Sequence, residues 1–139
     1  MTADDVIAAL GLQPHPEGGY FAEIHRADAP GGGRSPVTSI YYLLKEDERS
    51  HWHRIDTTEI WHFHAGAPML LQIAEEGKAA QRHLLGAALD LGQRPQAIVP
   101  PQAWQSAEPQ GHWSLVGCTV APGFEFASFE MAPKGWVPG

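Results

Sequence analysis

The chain has 139 residues, 43% of them hydrophobic and 18% charged, with 9 Lys and Arg against 16 Asp and Glu for a formal net charge of −7. This length suits one domain spanning 1–139 with a core of its own. The acidic balance speaks against a nucleic-acid partner, and no apolar run approaches the ~20 residues that span a bilayer. The acidic start MTADDVIAALG lacks the basic residues and long apolar stretch of a secretory signal, so a cytoplasmic location is expected.

In chain order, TADDVIAAL predicts a short helix, with Thr2 as N-cap, Asp5 three residues on and Gly11 as the stop. Two prolines and a Gly-Gly pair then exclude a helix up to Tyr20, and residues 20–26 alternate as a strand. The segment DAPGGGRSP is a loop, and VTSIYYLL (37–44) is rich in the β-branched and aromatic residues of a strand. The stretch APMLLQIAEEGKAAQRHLL predicts two strands joined at EEGK. QAIVPPQAWQSAEP predicts a strand broken by Pro100-Pro101 and a second extended piece. HWSLVGCTVAPGFEFASFEMA predicts two more strands on either side of Pro122-Gly123, the second packing Phe124 and Phe126 into the core. Cys118, the sole cysteine, is expected as a buried and unreactive thiol. Short strands at near-regular spacing with Gly or Pro between them indicate an all-β sandwich or barrel.

Chemistry concentrates in SHWHRIDTTEIWHFHAGAP, residues 50–68, which holds His51, His53, Glu59, His62 and His64. On a regular strand His51 and His53 share a face, their Cβ atoms roughly 6–7 Å apart, close enough for two imidazoles to converge on one ion. A third ligand is needed, and Glu59 is the natural candidate. The turn-forming residues of RIDTT prevent the strand phase from being carried from His53 to Glu59. Beyond them, Glu59, Trp61 and Phe63 share one face, and Ile60, His62 and His64 the other. An isolated His-x-His pair more often has no metal than has one. His15, His25, His83 and His112 stand alone in the sequence and are expected at the surface.

HWHRIDTTEIWHFHAG resembles the first motif of the cupins, with His51-x-His53, a gap of five residues to Glu59 and a gap of six more to Gly66. VPPQAWQSA resembles the second motif, but Gln105 stands where cupins place their last metal-binding histidine, and an amide oxygen is a poor partner for the ions that imidazole favours. HPEGGYFAEIHR, SIYYLL, WHRIDTTEIWHFHAGAPMLL, VPPQAWQSA and LVGCTVAPGFEFASFEMA follow in the order typical of the fifth cupin family, from about Asp5 to Ala132. The resemblance extends to small single-domain bacterial cupins. It implies a double-stranded β-helix, or jelly roll, behind a short N-terminal helix, and commonly a homodimer. It also implies that residues matching His53, Glu59 and Gln105 recur while the position of His51 varies.

The functional expectation is therefore a cupin-type protein that binds a small molecule. The leading form is an enzyme acting on a polar or sugar-like metabolite, with His53 and Glu59 as an acid/base pair, as the resemblance to cupin sugar-nucleotide epimerases suggests. Gln105, Trp61 and Phe63 are expected to line the pocket, with Glu17 or Tyr20 of HPEGGY at its mouth. The alternatives are a metabolite-binding module without chemistry and an enzyme using a weakly held divalent metal on His51, His53 and Glu59. No cofactor is identified by the sequence. The expected partners are a small-molecule ligand and a second copy of the chain, with neither nucleic acid nor membrane among them.

Overall fold

The computed structural model describes residues 1–139. One helix, α1 (Ala3–Leu10), precedes eleven strands: β1 (Gln13–Pro14), β2 (Tyr20–Arg26), β3 (Thr38–Lys45), β4 (Ser50–Arg54), β5 (Thr58–Gly66), β6 (Met69–Ala74), β7 (Gln81–Leu85), β8 (Gln96–Val99), β9 (Trp104–Pro109), β10 (Trp113–Ala121) and β11 (Glu130–Met131). They form two sheets, ordered β1-β2-β3-β10-β5-β8 and β11-β4-β9-β6-β7, with antiparallel pairing throughout. The fold is a jelly roll, and no helix is long and apolar enough to cross a membrane.

The helix forms where its caps dictate. The Thr2 hydroxyl accepts the Asp5 N–H at 3.1 Å, the Asp5 carboxylate accepts the Thr2 N–H at 2.9 Å, and Gly11 ends the helix at φ +65°. Val6 is its buried contact, closing with Leu12, Leu43 and Leu115 over the outside of the larger sheet.

The two-residue period of the strands divides the interior into a core and a cavity. Along β3, Thr38 and Ile40 face the cavity, while Tyr42 and Leu44 belong to the core. Along β10, Val120 and Cys118 face the cavity and Val116 the core. On β5, Glu59 faces the cavity, and Trp61 is packed into the core with Phe63 against it. A single inward row on each strand thus runs from polar or cavity-facing residues into solid packing.

The chain after β10 differs from the strand expected over 124–132. It makes a 3-10 turn at Phe126–Ser128 and only a two-residue strand, β11. Phe126 is 57% exposed rather than a core residue. The cause is anchoring near the loop before β3. Arg34 donates to the Gly123 carbonyl at 2.7 Å and holds Asp56 through two bonds of 2.8 and 2.9 Å, and the Phe124 N–H donates to Thr38 Oγ1 at 2.9 Å. These bonds draw the Phe-rich segment across the open end of the barrel instead of alongside β10.

Candidate functional site

Glu17 enters the barrel from the HPEGGY turn. The His15 N–H donates to the Gly19 carbonyl at 2.9 Å, and the Gly18 N–H donates to the His15 carbonyl at 3.1 Å. Gly18 and Gly19 have φ of +106° and +80°. A Cβ at Gly18 would lie 2.3 Å from the Arg49 carbonyl oxygen, and one at Gly19 would lie 2.6 Å from that of Leu43. Only glycine permits both this backbone and this approach. The Tyr42 hydroxyl donates to the Gly18 carbonyl, and the His51 N–H donates to that of Glu17 at 3.2 Å, so the turn is pinned to both sheets. The Glu17 side chain is buried, with the Ser50 hydroxyl donating to Oε1 at 2.9 Å and His53 Nε2 3.1 Å from Oε2.

His53 points inward because β4 carries a bulge. Ser50 pairs with Ala107 and His53 with Gln105, three residues on β4 against two on β9. Ser50 and His53 are therefore buried while His51, between them, is exposed. The His51 carbonyl accepts from His53 Nδ1 at 2.7 Å, which fixes the proton on Nδ1 and turns Nε2 toward Glu17. The Phe129 ring stacks on the imidazole, with centroids 5.3 Å apart.

Glu59 is held from behind by a relay with one direction. The indole Nε1–H of Trp61 can only donate, and it donates to Gln105 Oε1 at 2.8 Å. That orients the amide so that Gln105 Nε2 donates to Glu59 Oε1 at 2.9 Å. Gln105 is 0% exposed, so this hydrogen bonding fully determines its orientation.

The cavity has a volume of about 70 Å³. His15, Glu17, His53 and Glu59 supply its polar wall, and Phe21, Phe124, Phe126 and Phe129 its aromatic one. Burial pushes the Glu59 carboxyl up to about 7 although His53 pulls it back. Burial likewise raises Glu17 and lowers both His53 and His15. Desolvation dominates all four, as expected where charge leaves water for an aromatic enclosure.

The structure brings His53, Glu59 and Glu17 to one cavity, with Gln105 one layer behind Glu59. Trp61 and Phe63 are not its wall. Trp61 is buried beneath Gln105, and Phe63 packs against the core. Tyr20 lies outside the barrel, on the α1 side, with the Lys45 ammonium 5.0 Å from its ring centroid. His51 faces the other way through the β4 bulge, so the set His51, His53 and Glu59 does not assemble. No group of three or more His, Cys, Asp or Glu side chains is placed to hold a metal ion. Gln105, at the position of the last cupin ligand, already has its oxygen taken by Trp61, so the residues present do not fit the usual cupin metal. His15, expected at the surface, is half-buried and accepts the Glu17 N–H on Nδ1 at 3.1 Å. His62 lies on the outer face with Nε2 3.2 Å from Thr119 Oγ1, and His64 packs against Tyr41. Phe124, Phe126 and Phe129 were missed as a wall. Their signal in the sequence was the departure of the last segment from clean alternation after Pro122-Gly123.

A jelly roll with a polar, aromatic-walled cavity of this kind defines a cupin. The family described as "Cupin superfamily (DUF985)" matches residues 4–132, and the chain belongs to it. Among solved structures, the chain is similar to a hypothetical protein from Leishmania major, with 34% identity, 95% of this chain and 88% of that one covered and a TM-score of 0.87. It is also similar to a protein from Shewanella oneidensis, with 37% identity, coverage of 95% and 85% and a TM-score of 0.91. An oxalate decarboxylase variant from Bacillus subtilis shares the fold at 14% identity over 86% of this chain and 29% of that one, with a TM-score of 0.65. No curated protein matches.

Proposed function

We propose that the chain is a cupin enzyme that moves a proton on a small polar metabolite, with Glu17 and His53 as the proton-carrying pair and Glu59 as the group that grips the substrate. The observation that carries this reading is the 3.1 Å contact between His53 Nε2 and Glu17 Oε2, made by an imidazole whose other nitrogen is committed to the His51 carbonyl. That contact holds one proton, on Glu17 or on His53 Nε2, and both residues line the cavity. Giving up the proton and taking it back requires no redox partner, which suits an isomerisation or epimerisation. The Gln105 relay keeps one Glu59 oxygen occupied and leaves the other for the ligand.

Incubation of the protein with a metabolite extract in deuterium oxide tests this. The parent chain should place solvent deuterium on one metabolite, and His53→Asn, which keeps a donor for the His51 carbonyl, should not. Equal labelling by both proteins would remove His53 from the chemistry.

We also propose pairing with a second copy. Ile98 is 62% exposed on the edge strand β8, beside its register partner Ile60 on the outer face of β5. An uncovered apolar sheet edge is a natural contact between copies. Light scattering should give twice the 15.1 kDa of one chain, and a monomer at micromolar concentration would refute pairing.

A further inference from the structure

We propose that the ligand of this cavity carries a protonated nitrogen, that is, a small primary amine whose ammonium pairs with Glu59 and whose carbon chain lies against Phe124, Phe126 and Phe129. The proposal rests on the ligand-pocket reading above and adds the chemical class.

The argument is one of charge, group by group. The His53–Glu17 pair holds one proton between two groups, so it is neutral overall whether the proton sits on nitrogen or oxygen. His15 accepts a backbone N–H on Nδ1, so that nitrogen carries no proton and the ring is uncharged. Arg26 at the mouth has three of its five N–H groups engaged. Its Nε and Nη2 hold the two oxygens of Glu23, each at 2.9 Å, and Nη1 donates to the Phe124 carbonyl at 3.1 Å. Arg26 and Glu23 cancel each other. The Cys118 thiol is buried and burial keeps it protonated.

Glu59 has no ion-pair partner of its own, since the His53 that draws on it is in contact with Glu17. It is 7% exposed and lines the cavity, and it has one strong hydrogen bond, from Gln105 to Oε1. A buried carboxylate in this position is costly unless a cation joins it. No cation of this chain is in ion-pair contact with it: Arg26 is paired with Glu23, His53 Nε2 faces Glu17, and His15 is uncharged. A ligand ammonium supplies what is missing, and the phenylalanine wall favours a cation through its ring quadrupoles while packing on a hydrocarbon stem. An anion would have to compete with Glu23 for Arg26, the cation of the lining. A volume of about 70 Å³ holds about five water-sized groups, enough for an ammonium and a short chain.

The pH dependence follows with a definite sign. The titrating or charged groups around Glu59 are His53 from β4, Glu17 from the HPEGGY turn and Cys118 from β10, with His15, Glu23 and Arg26 toward the mouth. Burial pushes Glu59 up to about 7. An ammonium ligand binds its ionised form, so affinity rises with pH, about tenfold per unit below 7, and levels off above it until the amine loses its own proton near ~10. A neutral ligand that relies on a Glu59 carboxylic acid as donor gives the opposite slope.

The experiment is a titration of the full-length protein with n-butylamine, n-butanol and butyrate, each followed by NMR through the Trp61 indole N–H and the His53 ring at pH 5 to 8.5. Butylamine should bind more tightly than butanol by about tenfold or more at pH 8, the gain of a charge-assisted bond. Its affinity should climb with pH as described, and butyrate should be the weakest. Glu59→Gln should lose both the preference and the slope, and the parent's slope stands as a test whether or not that variant folds. Butanol binding as well as butylamine, or butyrate binding best, would overturn the amine assignment and leave the polar-ligand pocket standing. Failure of all three to perturb the cavity at 100 mM would overturn both.

Discussion

Glu59→Gln is expected to become more stable relative to the parent as pH rises from about 4.5 to about 8. Burial pushes the parent carboxyl up to about 7 in the folded protein, from its ordinary 4.5 when solvated. A carboxyl whose folded pKa is raised binds its proton more tightly when folded. Its contribution is therefore fully present below 4.5 and is lost as pH climbs through 7. For a shift of this size the loss approaches ~3 kcal/mol at pH 8, a large part of the stability of a small domain. Glutamine removes it, because the amide is neutral at every pH and its oxygen still accepts from Gln105 Nε2. Glu17 is raised too and acts in the same direction in both proteins, while His15 and His53, both lowered, weaken the fold toward acid pH. The difference between the two proteins reports Glu59 together with its charge coupling to His53 and Glu17. Urea unfolding at pH 5 and pH 8 measures it. A difference that stays flat, or that turns against the variant at high pH, would mean that Glu59 is an ordinary ionised carboxylate and would remove the basis of the amine proposal as well.

The succession of strands along the chain and the shared face of Glu59 and Trp61 were legible in the sequence because they depend on a two-residue period within one regular strand. The cap of α1 was legible because Thr2, Asp5 and Gly11 act within a few residues of one another. The pairing of His51 with His53 failed for a reason that no spacing rule contains. One extra residue in β4 is accommodated by a bulge, and a bulge moves every later side chain to the other face. The roles of Trp61 and Gln105 depended on a contact between strands from different sheets, 44 positions apart in sequence. Alternation placed Trp61 inward correctly, but inward on β5 leads to the core one step after it leads to the cavity. Glu17 was visible as a candidate in HPEGGY, while its partner was not, because the bond that joins it to His53 crosses from a turn to a strand of the other sheet.

Glu17→Gln is expected to lower the rate of the proton transfer by about 10²- to 10⁴-fold, the range of a general acid or base. The fold should survive. The amide oxygen can accept from Ser50 as Oε1 does now, and the amide nitrogen can donate to His53 Nε2 across the same 3.1 Å. Shape and hydrogen bonding are conserved, and only the mobile proton is gone, since an amide neither releases nor takes one near neutral pH. The effect should fall on kcat and leave KM nearly unchanged, the pattern of an interaction used in the transition state rather than in binding. A positioning role alone would not give that split, because a misplaced imidazole would disturb binding and catalysis together. The matching control lies in the pH profile of the parent. His53 is pushed down and Glu17 up by the same burial, so the two exchange their proton as a unit, and kcat should follow the apparent titration of the pair instead of that of an isolated histidine. Deuterium incorporation that proceeds at the parent rate in Glu17→Gln would exclude Glu17 as a proton carrier and return that task to His53 and Glu59.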